Sequence, residues 1–138
     1  MMSKSFVIDT NSLISAVLIE GTSSSRALDK AILLGKLIFS QSTADEFIEV
    51  LFRKKLDKYF VNDDERWESI ECILSHSFLL SPVETITVCR DPKDNKFLEL
   101  AVAAEASCSI SGDKDLLELH SFRGIPIVNA VEFLSMVF

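Results

Sequence analysis

Short runs of consecutive apolar residues alternate along this chain with longer stretches in which apolar residues return every three or four positions. The first kind fits a strand buried on both faces, the second a helix with one apolar stripe. Phe6-Val7-Ile8 is such a run and ends at Asp9; Leu13, Ile14, Ala16 and Val17 then predict a helix that breaks near Gly21-Thr22. A second helix is predicted over 24–34, ended by Gly35. Leu37-Ile38-Phe39 reads as a strand, and Ser42 with Asp45 three residues on resembles a capping box opening a helix that carries Phe47, Ile48 and Leu51. A helix over 63–76 and a strand at Phe78-Leu79-Leu80 follow, and Asp91-Pro92 opens a helix carrying Phe97, Ala101 and Ala104. The chain then reads as a strand at Cys108-Ser109-Ile110, a short helix near Leu116-Leu117, a strand at Ile125-Pro126-Ile127-Val128 and a last helix over 129–136. Strands separated by helices imply an α/β fold, a three-layer α/β/α sandwich around a central, mainly parallel sheet.

Length and composition narrow the class. One domain over 1–138 is expected, since 138 residues bury one sizeable core but not two. With 48% apolar and 25% charged residues, 4 Gly and 3 Pro, the composition is that of a globular chain. The apolar stretch after Met1-Met2-Ser3-Lys4-Ser5 is too short for a signal peptide or membrane span, so a cytoplasmic protein is expected. Cys72, Cys89 and Cys108 form no C-x-x-C pair and are expected as buried thiols in a reducing compartment, not as a disulfide frame or zinc site. His76 and His120 stand alone and are expected on the solvated surface. The final Phe133-Leu134 and Met136-Val137-Phe138 are expected to pack in the core in preference to a dimer contact.

A net charge of −7 argues against binding nucleic acid through a general positive field. Bound cations can neutralise clustered acids, however, and the run Arg53, Lys54, Lys55 and Lys58 can guide a strand locally. The acids fall where a parallel sheet puts its functional crevice, at the carboxyl ends of strands. Asp9 closes the first strand, Glu46 sits in the first helical turn after the second, Asp113 and Asp115 follow Cys108-Ser109-Ile110, and Asp94 starts a helix. Such carboxylates oppose one another's ionisation unless cations relieve them. Mg²⁺ or Mn²⁺, hard ions that prefer carboxylate oxygens, are the natural relief and would activate water for attack on phosphate. Each acid also has a plain structural reading. Asp9-Thr10-Asn11 can be a helix cap, Glu46 a first-turn acid like Asp45 or Glu49, and Asp91 and Asp94 both fit a helix opening. Gly112-Asp113-Lys114-Asp115 can be a turn with Asp115 as cap. Helical angle places Glu46 beside Val50 at the edge of the apolar face, with Asp45 and Glu49 turned outward. Spacing does not rank Asp91 against Asp94.

Four motifs in order, Val7-Ile8-Asp9-Thr10-Asn11, Asp45 to Leu51, Arg90-Asp91-Pro92-Lys93-Asp94-Asn95 to Ala101, and Ser111-Gly112-Asp113-Lys114-Asp115-Leu116-Leu117, span nearly the whole chain. Together they resemble PIN-domain proteins, and within them the toxin components of bacterial toxin–antitoxin pairs. The resemblance implies that Asp9, Glu46, Asp94 and Asp113 coordinate Mg²⁺ or Mn²⁺ with Asp115 in support, and it selects Asp94 over Asp91. Thr10 or Asn11 would orient Asp9 or a metal-bound water. It further implies hydrolysis of RNA phosphodiester bonds, restraint by a small antitoxin protein, and a homodimer. Arg53, Lys54 and Lys55 are the candidate RNA contacts. Ser111 stands where the family commonly has Thr, which keeps a hydroxyl. Aspartyl phosphoryl transfer fits less well, because Asp9 lacks an acidic companion two residues on. A PIN-like scaffold that binds RNA or protein without cutting is the non-enzymatic alternative.

Overall fold

The computed structural model describes residues 4–138, so the Met1-Met2-Ser3 part of the N-terminal expectation lies outside the described residues. Five strands, β1 (Lys4–Ile8), β2 (Gly35–Phe39), β3 (Ser77–Leu79), β4 (Cys108–Ile110) and β5 (Ile127–Val128), form one sheet in the order β3-β2-β1-β4-β5. Every pairing between them is parallel. Seven α-helices connect and flank them: α1 (Thr10–Leu18), α2 (Ser23–Leu34), α3 (Gln41–Leu51), α4 (Asp63–Ser75), α5 (Asn95–Ala104), α6 (Lys114–Leu117) and α7 (Ala130–Ser135).

Alternation along the strands splits the apolar residues between two faces. Phe6, Leu37, Phe39, Cys108 and Ile110 pack in one core with Leu13, Ala27, Phe47, Leu51, Ile70 and Phe133 from α1, α2, α3, α4 and α7. Val7, Ile38 and Ile127 pack in the other with Phe97, Leu98, Leu100 and Ala101 of α5 and Leu116 of α6. This is the α/β/α sandwich the sequence pattern implies, with a sheet that is all parallel. From β1 the chain winds through β2 to β3, then returns to place β4 on the other side of β1. The direction of winding therefore reverses between β1 and β4, and their carboxyl ends frame the crevice of a doubly wound sheet.

Several boundaries differ from the sequence reading. Helix α3 starts at Gln41, capped not by Ser42 but by Ser40, which exchanges backbone bonds with Thr43: the Thr43 amide donates to Ser40 Oγ at 3.1 Å and the Ser40 amide to Thr43 Oγ1 at 2.9 Å. Ser40 and Thr43 are buried whereas Ser42 is exposed, so burial decides between two similar hydroxyl pairs. Glu46 consequently lies in the second turn of α3, not the first. Asp91-Pro92 opens a 3-10 turn over Pro92–Asp94 before α5, and α6 is capped by Asp113, not Asp115. Gly35 does close α2, its amide donating to the Ala31 carbonyl, but it also begins β2, where a Cβ would lie 2.0 Å from the Lys4 carbonyl oxygen. That close approach of β1 is what requires glycine.

Cys89 and Cys108 are buried as expected; Cys72 is exposed on the outer side of α4. His120 is exposed yet accepts the Ile127 amide at 2.9 Å, and His76, half-buried, bonds through its ring to the Cys72 carbonyl at 2.8 Å. Phe133 is fully buried and joins the core, whereas Phe138, its ring 5.4 Å from Phe6, and Val137 are exposed, so only part of the terminal stretch packs as expected. Among the described residues no helix is long and apolar enough to cross a membrane.

Candidate active site

The β1–β4 register pairs Ile8 with Ile110, so the next residues, Asp9 and Ser111, meet at the sheet rim. The Asp9 amide extends the ladder to the Ile110 carbonyl at 3.1 Å, and Ser111 does the same toward Val128 at 2.9 Å. Asp9 is buried, and both its carboxylate oxygens are engaged: Oδ1 accepts the Ser12 amide at 2.9 Å and Oδ2 the Ser111 hydroxyl. Capping α1 and facing the crevice are thus one geometry, so the two readings of Asp9 coexist. Ser111 also accepts the Asp113 amide at 2.9 Å, and Asp113 in turn caps α6 through the Asp115 amide at 2.8 Å. A single buried hydroxyl therefore fixes Asp9 relative to Asp113.

From the other side of the crevice α3 contributes Glu46, half-buried, whose oxygens accept from the Thr10 hydroxyl and the Lys96 ammonium. Thr10 thus orients Glu46, not Asp9. Of the neighbouring acids, exposed Asp45 accepts from Gln41 and Glu49 pairs with Arg53 at 3.1 Å on the outer rim. The start of α5 adds Asp94, while Asp91 points outward and caps the 3-10 turn by accepting the Lys93 amide at 3.0 Å.

Asp94, Asp113 and Asp115 bring carboxylate oxygens within 4.8 Å of one another. Asp9, Asn11, Glu46, Asp94 and Asp113 line a polar cleft of about 210 Å³, with Arg53 and Lys93 at its wall. Burial first, then a carboxyl–carboxyl hydrogen bond with Asp113 and the nearby charges of Asp113, Asp91 and Asp9, push the Asp94 pKa up to about 7. One Asp94 oxygen is buried with no hydrogen-bond partner. An orphaned carboxylate oxygen beside two further carboxylates is a donor set suited to a hard divalent cation. Cys89 lies close enough for these acids to matter: burial first, then Asp94 and Asp113, raise its thiol to about 11, so in the metal-free protein it stays protonated.

The structure thus gathers Asp9, Glu46, Asp94, Asp113 and Asp115 at one rim, with Thr10 and Asn11 beside them. Lys54 and Lys55 stand exposed at the start of a 3-10 helix beyond Arg53, further along than the cleft wall. Lys96 and the precise role of Ser111 go beyond the sequence reading. Lys96 shows in the sequence only as a cation two residues after Asp94. Ser111 shows as a hydroxyl just before Gly112-Asp113, where its position opposite Asp9 follows only from strand register.

A doubly wound parallel sheet with carboxylates crowded over its switch point defines an α/β protein with an acidic centre. The chain belongs to the PIN domain family, which matches residues 5–115 and whose members are generally nucleases. Over 117 residues it is 33% identical to uncharacterized protein MJ1680 of Methanocaldococcus jannaschii, covering 83% of this chain and 74% of that protein. Its fold is similar to that in the crystal structure of PAE2754 from Pyrobaculum aerophilum, with a TM-score of 0.62 and 16% identity over 96% of this chain and 91% of that one.

Proposed function

We propose that this protein is a Mg²⁺- or Mn²⁺-dependent endoribonuclease, with residues 1–138 acting as one domain. The observation that carries the reading is the Asp94-Asp113-Asp115 cluster with its unpartnered Asp94 oxygen, set at the switch point between Asp9 and Glu46. Asp9, Glu46, Asp94 and Asp113 would hold the ion, with Asp115 in support. Bound there, a divalent ion supplies charge neutralisation for a scissile phosphate and lowers the pKa of water. The protein's own contribution is placement. Ser111 holds Asp9 and Asp113 in register, Thr10 holds Glu46, and Asn11 offers an amide to a sugar or phosphate at the cleft mouth. Arg53, Lys54 and Lys55 extend from the cleft wall in the direction an RNA strand would leave. The family resemblance supports the further reading of a toxin restrained by a small antitoxin protein, acting in the cytoplasm as a homodimer.

The test is cleavage of labelled single-stranded RNA by purified protein with Mn²⁺, with Mg²⁺ and with chelator, alongside Asp94→Asn. Metal-dependent cutting that disappears in the variant supports the enzyme. Identical behaviour of the two proteins over several RNAs would instead leave a PIN-like scaffold that binds without cutting.

A further inference from the structure

The acids of the cleft are not equivalent. Both oxygens of Asp9 and both of Glu46 are already satisfied by protein donors, whereas Asp94 keeps an oxygen that has none. The donor that sets Glu46 apart is a cation. Lys96, the second residue of α5, pairs with Glu46 across 50 positions of sequence, and the side chains of the pair are only 23% and 30% exposed. In such a partly dehydrated wall an ammonium attracts its carboxylate and repels an arriving dication more strongly than it would in open solvent.

Building on the metal-dependent reading, we propose that Lys96 is a positioning residue that acts as an internal counter-cation and competes with the divalent ion for Glu46. In the ion-free protein the ammonium relieves the repulsion between Glu46 and the neighbouring aspartates. Ion uptake then begins at Asp94, Asp113 and Asp115, and Glu46 is withheld until its ammonium is displaced. Removing Lys96 frees one carboxylate and deletes one positive charge, and both changes favour the ion.

Calorimetric titration with Mn²⁺ reads this directly. Lys96→Met binds Mn²⁺ about tenfold tighter or more, the size expected for one unit charge about 6 Å from a dication even at the dielectric of bulk water. Lys96→Arg keeps the wild-type affinity, and in a Glu46→Gln background the gain from Lys96→Met falls several-fold, to the part owed to the deleted charge alone. Unchanged or weaker Mn²⁺ binding by folded Lys96→Met overturns the proposal, as does a gain of undiminished size in Glu46→Gln, which would be a field effect alone. Lys96→Gln substitutes if the Met variant does not fold. If the wild-type protein takes up no Mn²⁺, the metal reading itself fails, and the counter-cation is judged on chelated protein. There Lys96→Met must lower the melting temperature and Glu46→Gln must restore it; absence of that coupling overturns the proposal.

Discussion

Asp94 carries the least comfortable charge in the cleft. Its folded-state pKa of about 7 lies above the ordinary 3.8, so between roughly pH 4 and pH 7 the folded protein holds a proton that the unfolded chain has released. Stability of the metal-free protein therefore falls as pH rises through that window, and the penalty is fully present above pH 7. Asp94→Asn removes it: in chelator, the variant melts higher than wild type at pH 8 and its melting temperature varies less between pH 5 and pH 8. A lower melting temperature at pH 8 would contradict this account. The same proton gives a second readout. Under the metal-dependent reading Mn²⁺ takes the carboxylate form, so uptake at pH 6 releases more protons than uptake at pH 8, measurable by calorimetry in buffers of different ionisation enthalpy. Ser111 poses the opposite problem, a hydroxyl whose loss strands two partners. Ser111→Ala leaves a buried Asp9 oxygen and the Asp113 amide without their partner, and costs about 1–3 kcal/mol in denaturant unfolding.

Elements turn these residue-level demands into positions, and their ends show how far a sequence can be read. β1 and β4 announce themselves as apolar runs closed by Asp9 and by Gly112-Asp113, so the strand ends and their acids are legible without coordinates. The partner of each acid is not. Thr10 meeting Glu46, and Lys96 meeting the same carboxylate, depend on how α1, α3 and α5 converge, which no local spacing encodes. The start of α3 was misplaced for a related reason: Ser40-Thr43 and Ser42-Asp45 are equally good local caps, and only burial of the first pair separates them. Gly35 is legible as a helix stop, while its second role needs the neighbouring strand. Because a Cβ there would meet the Lys4 carbonyl carbon at 2.6 Å, Gly35→Ala forces β1 and β2 apart at their start and costs about 2 kcal/mol or more by chemical denaturation. A loss below about 0.5 kcal/mol would mean that the strands shift freely. Glu105 shows the converse. It ends α5 at φ 48°, a left-handed conformation, so Glu105→Gly stabilises the fold by roughly 0.5–1 kcal/mol.

On the scale of the whole molecule, and under the proposed function, the sheet order explains how an acidic chain would address an anionic polymer. Winding reverses between β1 and β4, which concentrates carboxylates at one crevice, and of the basic run after α3 Arg53 reaches the cleft wall while Lys54, Lys55 and Lys58 lie beyond it. The surface as a whole, at a net charge of −7, repels RNA. Binding therefore has to come from few contacts, with the cleft's own negative charge screened first. The salt dependence counts those contacts, because each neutralised phosphate on a single strand contributes about −0.7 to the slope of log affinity against log salt. If Arg53, Lys54 and Lys55 are the strand's guides, the slope measured with Mn²⁺ present is about −2, a shallow value for a nucleic-acid-binding protein. Replacing Lys54 and Lys55 together by Ala brings it to about −0.7 and weakens binding to every RNA alike, because phosphate contacts carry no sequence information. The cleft acids themselves are untouched by that change. A slope unaltered by the double substitution would take the strand off this face and leave the hydroxyl-lined cleft of Ser12, Ser15 and Ser24, which shares Asp9, Asn11 and Asp113 with the acidic one, as its path.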